Sequence, residues 1–79
     1  MKVQVLFFGW AAEAVGKREV EFDLKSETKA SDALAQILSA FPPLEKHSLL
    51  FAVNQEYSKG SETINDGDEL AIFTAVSGG

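Results

Sequence analysis

The sharpest chemistry in this 79-residue sequence lies in its last two residues, Gly78 and Gly79. The final carboxylate belongs to a glycine, and a pair without Cβ atoms can thread a narrow channel and approach a partner's backbone closely. A free carboxylate is a poor electrophile. Activated as an acyl-adenylate, it becomes open to attack by sulfur, and the product would be a thiocarboxylate at Gly79. The sequence contains no cysteine, so no thiol elsewhere can hold transferable sulfur or relay a thioester, and the thioether of Met1 is poorly suited to the task. Val76 and Ser77 complete the segment that would enter a partner. Taken alone, a glycine pair is more often the mark of an ordinary frayed end.

The remaining reactive side chains do not assemble into a catalytic set. His47 has no second histidine and no cysteine to share a metal with. Asp66-Gly67-Asp68-Glu69 lacks the spacing of a calcium loop and reads as a turn, so no metal site is expected. Glu13, Glu21 and Asp23 form no evident acid/base pair, because Glu21 and Asp23 fall on the outer face of a strand. No serine sits in a nucleophile elbow and no phosphate-binding loop is present. The chain is therefore not expected to be an enzyme by itself.

Aromatic residues mark a candidate contact surface. Phe7 and Phe8 are consecutive in a strand pattern and point to opposite faces. With Phe7 inward, Phe8 is placed to form an apolar patch with Phe73 or Trp10, a patch of the kind that marks a partner site. Loops covering that second face are the competing expectation.

The elements that position these residues follow from periodicity. Lys2 to Phe8 carries Val3, Val5 and Phe7 on one face and Gln4, Leu6 and Phe8 on the other, an almost wholly apolar strand suited to the centre of a sheet. Ala11 to Val15 favours a short helix closed by Gly16. Arg18 to Leu24 alternates Val20, Phe22 and Leu24 with Glu19, Glu21 and Asp23, a half-buried strand antiparallel to the first. Ala30, Ala33, Leu34, Ile37, Leu38 and Phe41 make one apolar helical stripe. Thr28 or Ser31 is placed to cap its start, and Pro42-Pro43 ends it. Leu44 to Ser48 reads as a loop, Leu49 to Val53 as a strand, and Asn54-Gln55-Glu56 as a tight turn into a return at Tyr57. Ile64 tucks inward from a surface segment, and Glu69 to Phe73 is the last strand, again apolar on both faces. The order predicts an α+β roll with one main helix on one face of a mixed sheet. The first and last strands are expected to lie adjacent, central and parallel. The expected division is a folded domain over 1–73 and a flexible tail over 74–79.

Composition narrows the class. A single domain of this length buries a limited core. The net charge of −5 and pI near 4.6 disfavour a nucleic-acid partner; taken alone the acidity more often only keeps a small protein in solution, and otherwise it favours docking to a basic protein surface. No signal peptide is read at the N-terminus and no stretch reaches membrane-spanning length, so no membrane partner and a cytoplasmic location are expected.

Four segments together resemble the small subunit of molybdopterin synthase. They are Val5-Leu6-Phe7-Phe8-Gly9 with Glu13 and Gly16, then Ala52-Val53-Asn54-Gln55-Glu56-Tyr57, then Asp66-Gly67-Asp68-Glu69-Leu70-Ala71, and the ending Val76-Ser77-Gly78-Gly79. The resemblance spans the chain in matching order. It implies a β-grasp, ubiquitin-like fold with Gly79 adenylated by a ubiquitin-activating-like adenylyltransferase that uses ATP, then converted to the thiocarboxylate. It implies insertion of the tail into the large subunit within a heterotetramer, and sulfur donation there to cyclic pyranopterin monophosphate for the molybdenum cofactor. The catalytic side chains would be on the large subunit, no permanently bound cofactor is implied, and Phe8, Phe73, Trp10 and the tail would contact that subunit. The family pattern has arginine where this chain has Ala12, and a proline pair where it has Thr74-Ala75. Carriers for thiamin thiazole or another sulfurated product, and ubiquitin-like modifiers joined to lysines, share the glycine pair and stand as alternatives.

Overall fold

The computed structural model describes residues 1–46 and 48–74. Five strands form one sheet: β1 (Lys2–Phe8), β2 (Glu19–Asp23), β3 (Leu49–Val53), β4 (Glu56–Tyr57) and β5 (Glu69–Thr74). Two α-helices accompany it, α1 (Trp10–Val15) and α2 (Ala30–Ala40), with a 3-10 helix over Pro42–Lys46. The strand order is β2-β1-β5-β3-β4. The two strands most apolar in sequence, β1 and β5, lie side by side and parallel, with Phe8 opposite Phe73. Every other pairing is antiparallel. This is the expected mixed-sheet roll.

The core lies between the sheet and α2. Val3, Val5, Phe7, Phe51, Leu70 and Ile72 from the strands meet Ala30, Ala33 and Ile37 of α2. Each large side chain buried here contributes about 1.5–3 kcal/mol relative to exposure. Phe7 packs edge-on against Phe41, with ring centroids 5.4 Å apart and planes at 74°. Ala11 and Leu24 are buried at the margins, and Ile64 tucks inward as its isolated apolar character predicts.

Two local expectations are corrected. The N-cap of α2 is Lys29, with no side-chain cap bond. Thr28 instead donates its hydroxyl to the Lys25 carbonyl at 2.5 Å, and Ser31 lies inside the helix. The helix's first amides are satisfied from across the fold: Ala30 donates to the Glu62 carbonyl at 2.8 Å and Ser31 to the Gly60 carbonyl at 3.0 Å. Distant carbonyls thus do the work of a capping side chain. The segment after Pro43 also differs from a plain loop, because the 3-10 turn carries Leu44 into the core, where it is fully buried.

The β3–β4 connection is the two-residue turn Asn54-Gln55. Both residues have positive φ, 49° and 71°, the twist that suits a tight hairpin. Asn54 also reaches β5: its side-chain oxygen accepts from the Glu69 amide at 3.0 Å, and its amide nitrogen donates to Asp68 at 3.1 Å. These bonds fix the start of the strand that leads to the C-terminus.

Candidate functional site

α2 covers one face of the sheet, and the pairing registers define the other. Phe8, Phe73 and Leu50 form one cross-strand row on that outer face. Leu6, Ala71, Ala52 and Tyr57 form the next. Phe8 is 50% exposed, Leu50 37% and Tyr57 70%. The Tyr57 ring tilts against Phe73, centroids 5.8 Å apart. The rows make a contiguous apolar band open to solvent, so loops do not cover this face. Apolar surface gathered in one place on so small a domain is the signature of a docking site.

The rim of the band is largely acidic. Glu19 stands opposite Leu6, and Glu21 and Glu69 stand opposite Gln4 on β1. Lys2 joins this rim through a 3.2 Å ion pair with Glu21, and that hydrogen bond is the main cause raising the Lys2 pKa. A complementary surface would be apolar at its centre and basic where it meets the acidic rim.

The end of the band adjoins the root of the tail. Because β1 and β5 are parallel, both finish at the same end of the sheet. Gly9 turns the chain there with φ 58° and ψ −131°. A Cβ on Gly9 would lie 3.9 Å from the Thr74 hydroxyl. Trp10, 64% exposed, opens α1 immediately after. β5 runs one residue further than the sequence reading placed it, because Thr74 pairs with Leu49. A β-branched residue with an amide proton suits that extension, whereas proline would lack the donor. Val76, Ser77, Gly78 and Gly79 lie outside the described residues. Five residues beyond Thr74 reach at most about 18 Å when extended.

The structure therefore brings Phe8 and Phe73 together, places Trp10 at the same end, and sets all three beside the root of the tail. Sequence reasoning missed Leu50 and Tyr57. Their signal was present in the alternation of Leu49 to Val53 and in the two-residue turn that sets Tyr57 opposite Ala52. Among the described residues no three His, Cys, Asp or Glu side chains cluster as metal ligands. No described helix is long and apolar enough to cross a membrane.

Comparison with known proteins agrees with this geometry. The profile of the ThiS family matches residues 5–79. The chain is 40% identical, over 100% of both chains, to a protein of Chlamydomonas reinhardtii named molybdopterin synthase sulfur carrier subunit. Among solved structures it resembles SAMP1 from Haloferax volcanii, with 30% identity, a TM-score of 0.88 and 100% of each chain covered. It shares its fold with a chain in the complex of subunits 1 and 2 of molybdopterin-converting factor from Helicobacter pylori, with 22% identity, a TM-score of 0.71 and 100% of each chain covered. With a ubiquitin-like β-grasp fold and relatives matched from end to end, the chain belongs to the ThiS family, among its molybdopterin synthase sulfur carrier subunits.

Proposed function

We propose that this protein carries sulfur on Gly79 for molybdopterin synthesis, docking on the large subunit of the synthase through the outer sheet face. The observation that supports it is the uncovered apolar band whose end adjoins the strand leading into the tail. Docking through the band would hold the domain while the last residues enter the partner.

The reaction runs in two stages. The Gly79 carboxylate attacks the α-phosphorus of ATP on the adenylyltransferase and releases pyrophosphate. A sulfur nucleophile then displaces AMP and leaves the thiocarboxylate. On the large subunit the thiocarboxylate gives its sulfur to cyclic pyranopterin monophosphate, and water restores the carboxylate. In this reading the small chain supplies the sulfur and its presentation, and the side chains that catalyse transfer belong to the large subunit. Phe8, Phe73, Trp10, Leu50 and Tyr57 form the contact surface, and Gly78 with Ser77 and Val76 threads the channel.

The test is a reconstituted synthase supplied with thiocarboxylated protein. Wild-type protein should form molybdopterin, and a chain with one alanine added after Gly79 should form none while melting at the wild-type temperature. Normal product from the extended chain would contradict the proposal. A second reading, attachment of Gly79 to lysines of other proteins, draws on the likeness to SAMP1, which is named a small archaeal modifier protein. Isopeptide-linked conjugates of a tagged chain in cell extract would favour it.

A further inference from the structure

At the junction of β1, α1 and β2 the outer face folds over into a hollow. Leu6, Phe8 and Ala12 supply apolar wall, so the hollow is continuous with the apolar band through Leu6 and Phe8. It is open beside Gly16, where a Cβ would meet nothing within 4 Å. Its mouth carries Lys17 and Arg18, adjacent, exposed and, among the described residues, in no ion pair. Glu13 and Glu19 share the mouth and form no ion pair with them. Lys17 and Arg18 are adjacent cations on a chain of net charge −5, and the rim along β2 and β5 is mainly acidic.

We infer that this hollow receives an apolar side chain of the large subunit, with a carboxylate of the same segment set against Lys17 and Arg18. The inference rests on the sulfur-carrier reading and adds to it a second point of attachment. The partner's surface would then be basic opposite Glu21 and Glu69 and carry a carboxylate opposite Lys17 and Arg18. A charge pattern that changes sign along the contact allows one orientation and penalises the reverse. That orientation would aim the tail root, which adjoins Gly9 in the wall of the hollow.

The charges give a test whose outcome changes sign. The double variant Lys17→Glu/Arg18→Glu moves the net charge from −5 to −9. If the large subunit only offers basic groups, added negative charge speeds association. If it presents a carboxylate here, the same variant slows association by about tenfold or more at low salt. Stopped-flow association with the large subunit of molybdopterin synthase from the same source measures the difference. Ala12→Phe fills the hollow and should weaken Kd by about tenfold. Melting curves establish that each variant is folded, and the exposed charge pair keeps the test independent of Ala12 packing. Association of the charge variant at or above the wild-type rate overturns the inference, as does Ala12→Phe binding within about threefold of wild type. Wild-type protein that fails to bind the large subunit overturns the sulfur-carrier reading itself, and this inference with it.

Discussion

Phe7 and Phe8 are neighbours in sequence and should fail in different ways. Phe7 is 2% exposed and its ring rests on Phe41, so Phe7→Ala opens a cavity and costs about 3–5 kcal/mol of stability. Phe8 is half exposed in the free protein. An aromatic side chain presents on the order of 200 Å², so docking would bury roughly 100 Å² more of Phe8. At about 25 cal/mol per Å² that is a ceiling near 2.5 kcal/mol. Imperfect packing brings the expected loss for Phe8→Ala to about 2 kcal/mol, on the order of thirtyfold in Kd. Isothermal titration of the large subunit with each variant, paired with thermal melts, separates the two effects. Phe7→Ala should lower the melting temperature steeply, and Phe8→Ala should weaken binding with the smaller loss of stability. Phe8→Ala binding within about threefold of wild type, or a melting loss as large as that of Phe7→Ala, would refute the assignment of the outer face as the docking surface.

Two further residues give tests. The Glu62 carboxylate accepts from the Ser58 hydroxyl at 2.6 Å and from the Gly60 and Lys59 amides, and chiefly the Ser58 bond holds its pKa below the ordinary 4.5. A carboxyl with a depressed folded pKa stabilises above its unfolded pKa, and that contribution is lost as pH falls through the lowered folded value. Urea midpoints measured across acid pH should show this loss, and Glu62→Gln should be less stable at neutral pH with a flatter acid profile. Because the Gly60 and Glu62 carbonyls receive the first amides of α2, amide exchange at Ala30 and Ser31 should speed up in the same variant. Asn54→Gly keeps the positive-φ turn but deletes the bonds to Glu69 and Asp68, and should cost about 1–2 kcal/mol in denaturant unfolding.

Local patterns in the chain carried most of the fold. Alternation placed Val3, Val5 and Phe7 inward, and the two-sided apolar character of Lys2 to Phe8 and Glu69 to Phe73 marked them as the central pair. The 3.6-residue stripe from Ala30 to Ile37 identified the face of α2 that packs on the core. What escaped depends on contacts distant in sequence. Thr28 has the side chain of a cap, yet the amides it would have served face Gly60 and Glu62, some thirty residues away. Leu44 follows a proline pair that signals a break, and only the 3-10 turn shows that the chain bends back into the core. For the candidate site, the Phe8–Phe73 pairing follows from placing β1 beside β5, while Tyr57 joins it only once the turn at Asn54-Gln55 sets the register. The charged mouth of the hollow at Lys17-Arg18 has no periodic signature, because it is made by a turn meeting a helix.

The most direct test of the central claim is intact-mass spectrometry of the protein after incubation with ATP, a sulfur source and an adenylating enzyme of the ubiquitin-activating type. Sulfur carriage on Gly79 gives a mass gain equal to one oxygen replaced by sulfur, localised by fragmentation to Gly79 and absent when ATP is withheld. An unchanged mass with enzymes that load other carriers of this family, or sulfur found anywhere but Gly79, would contradict it.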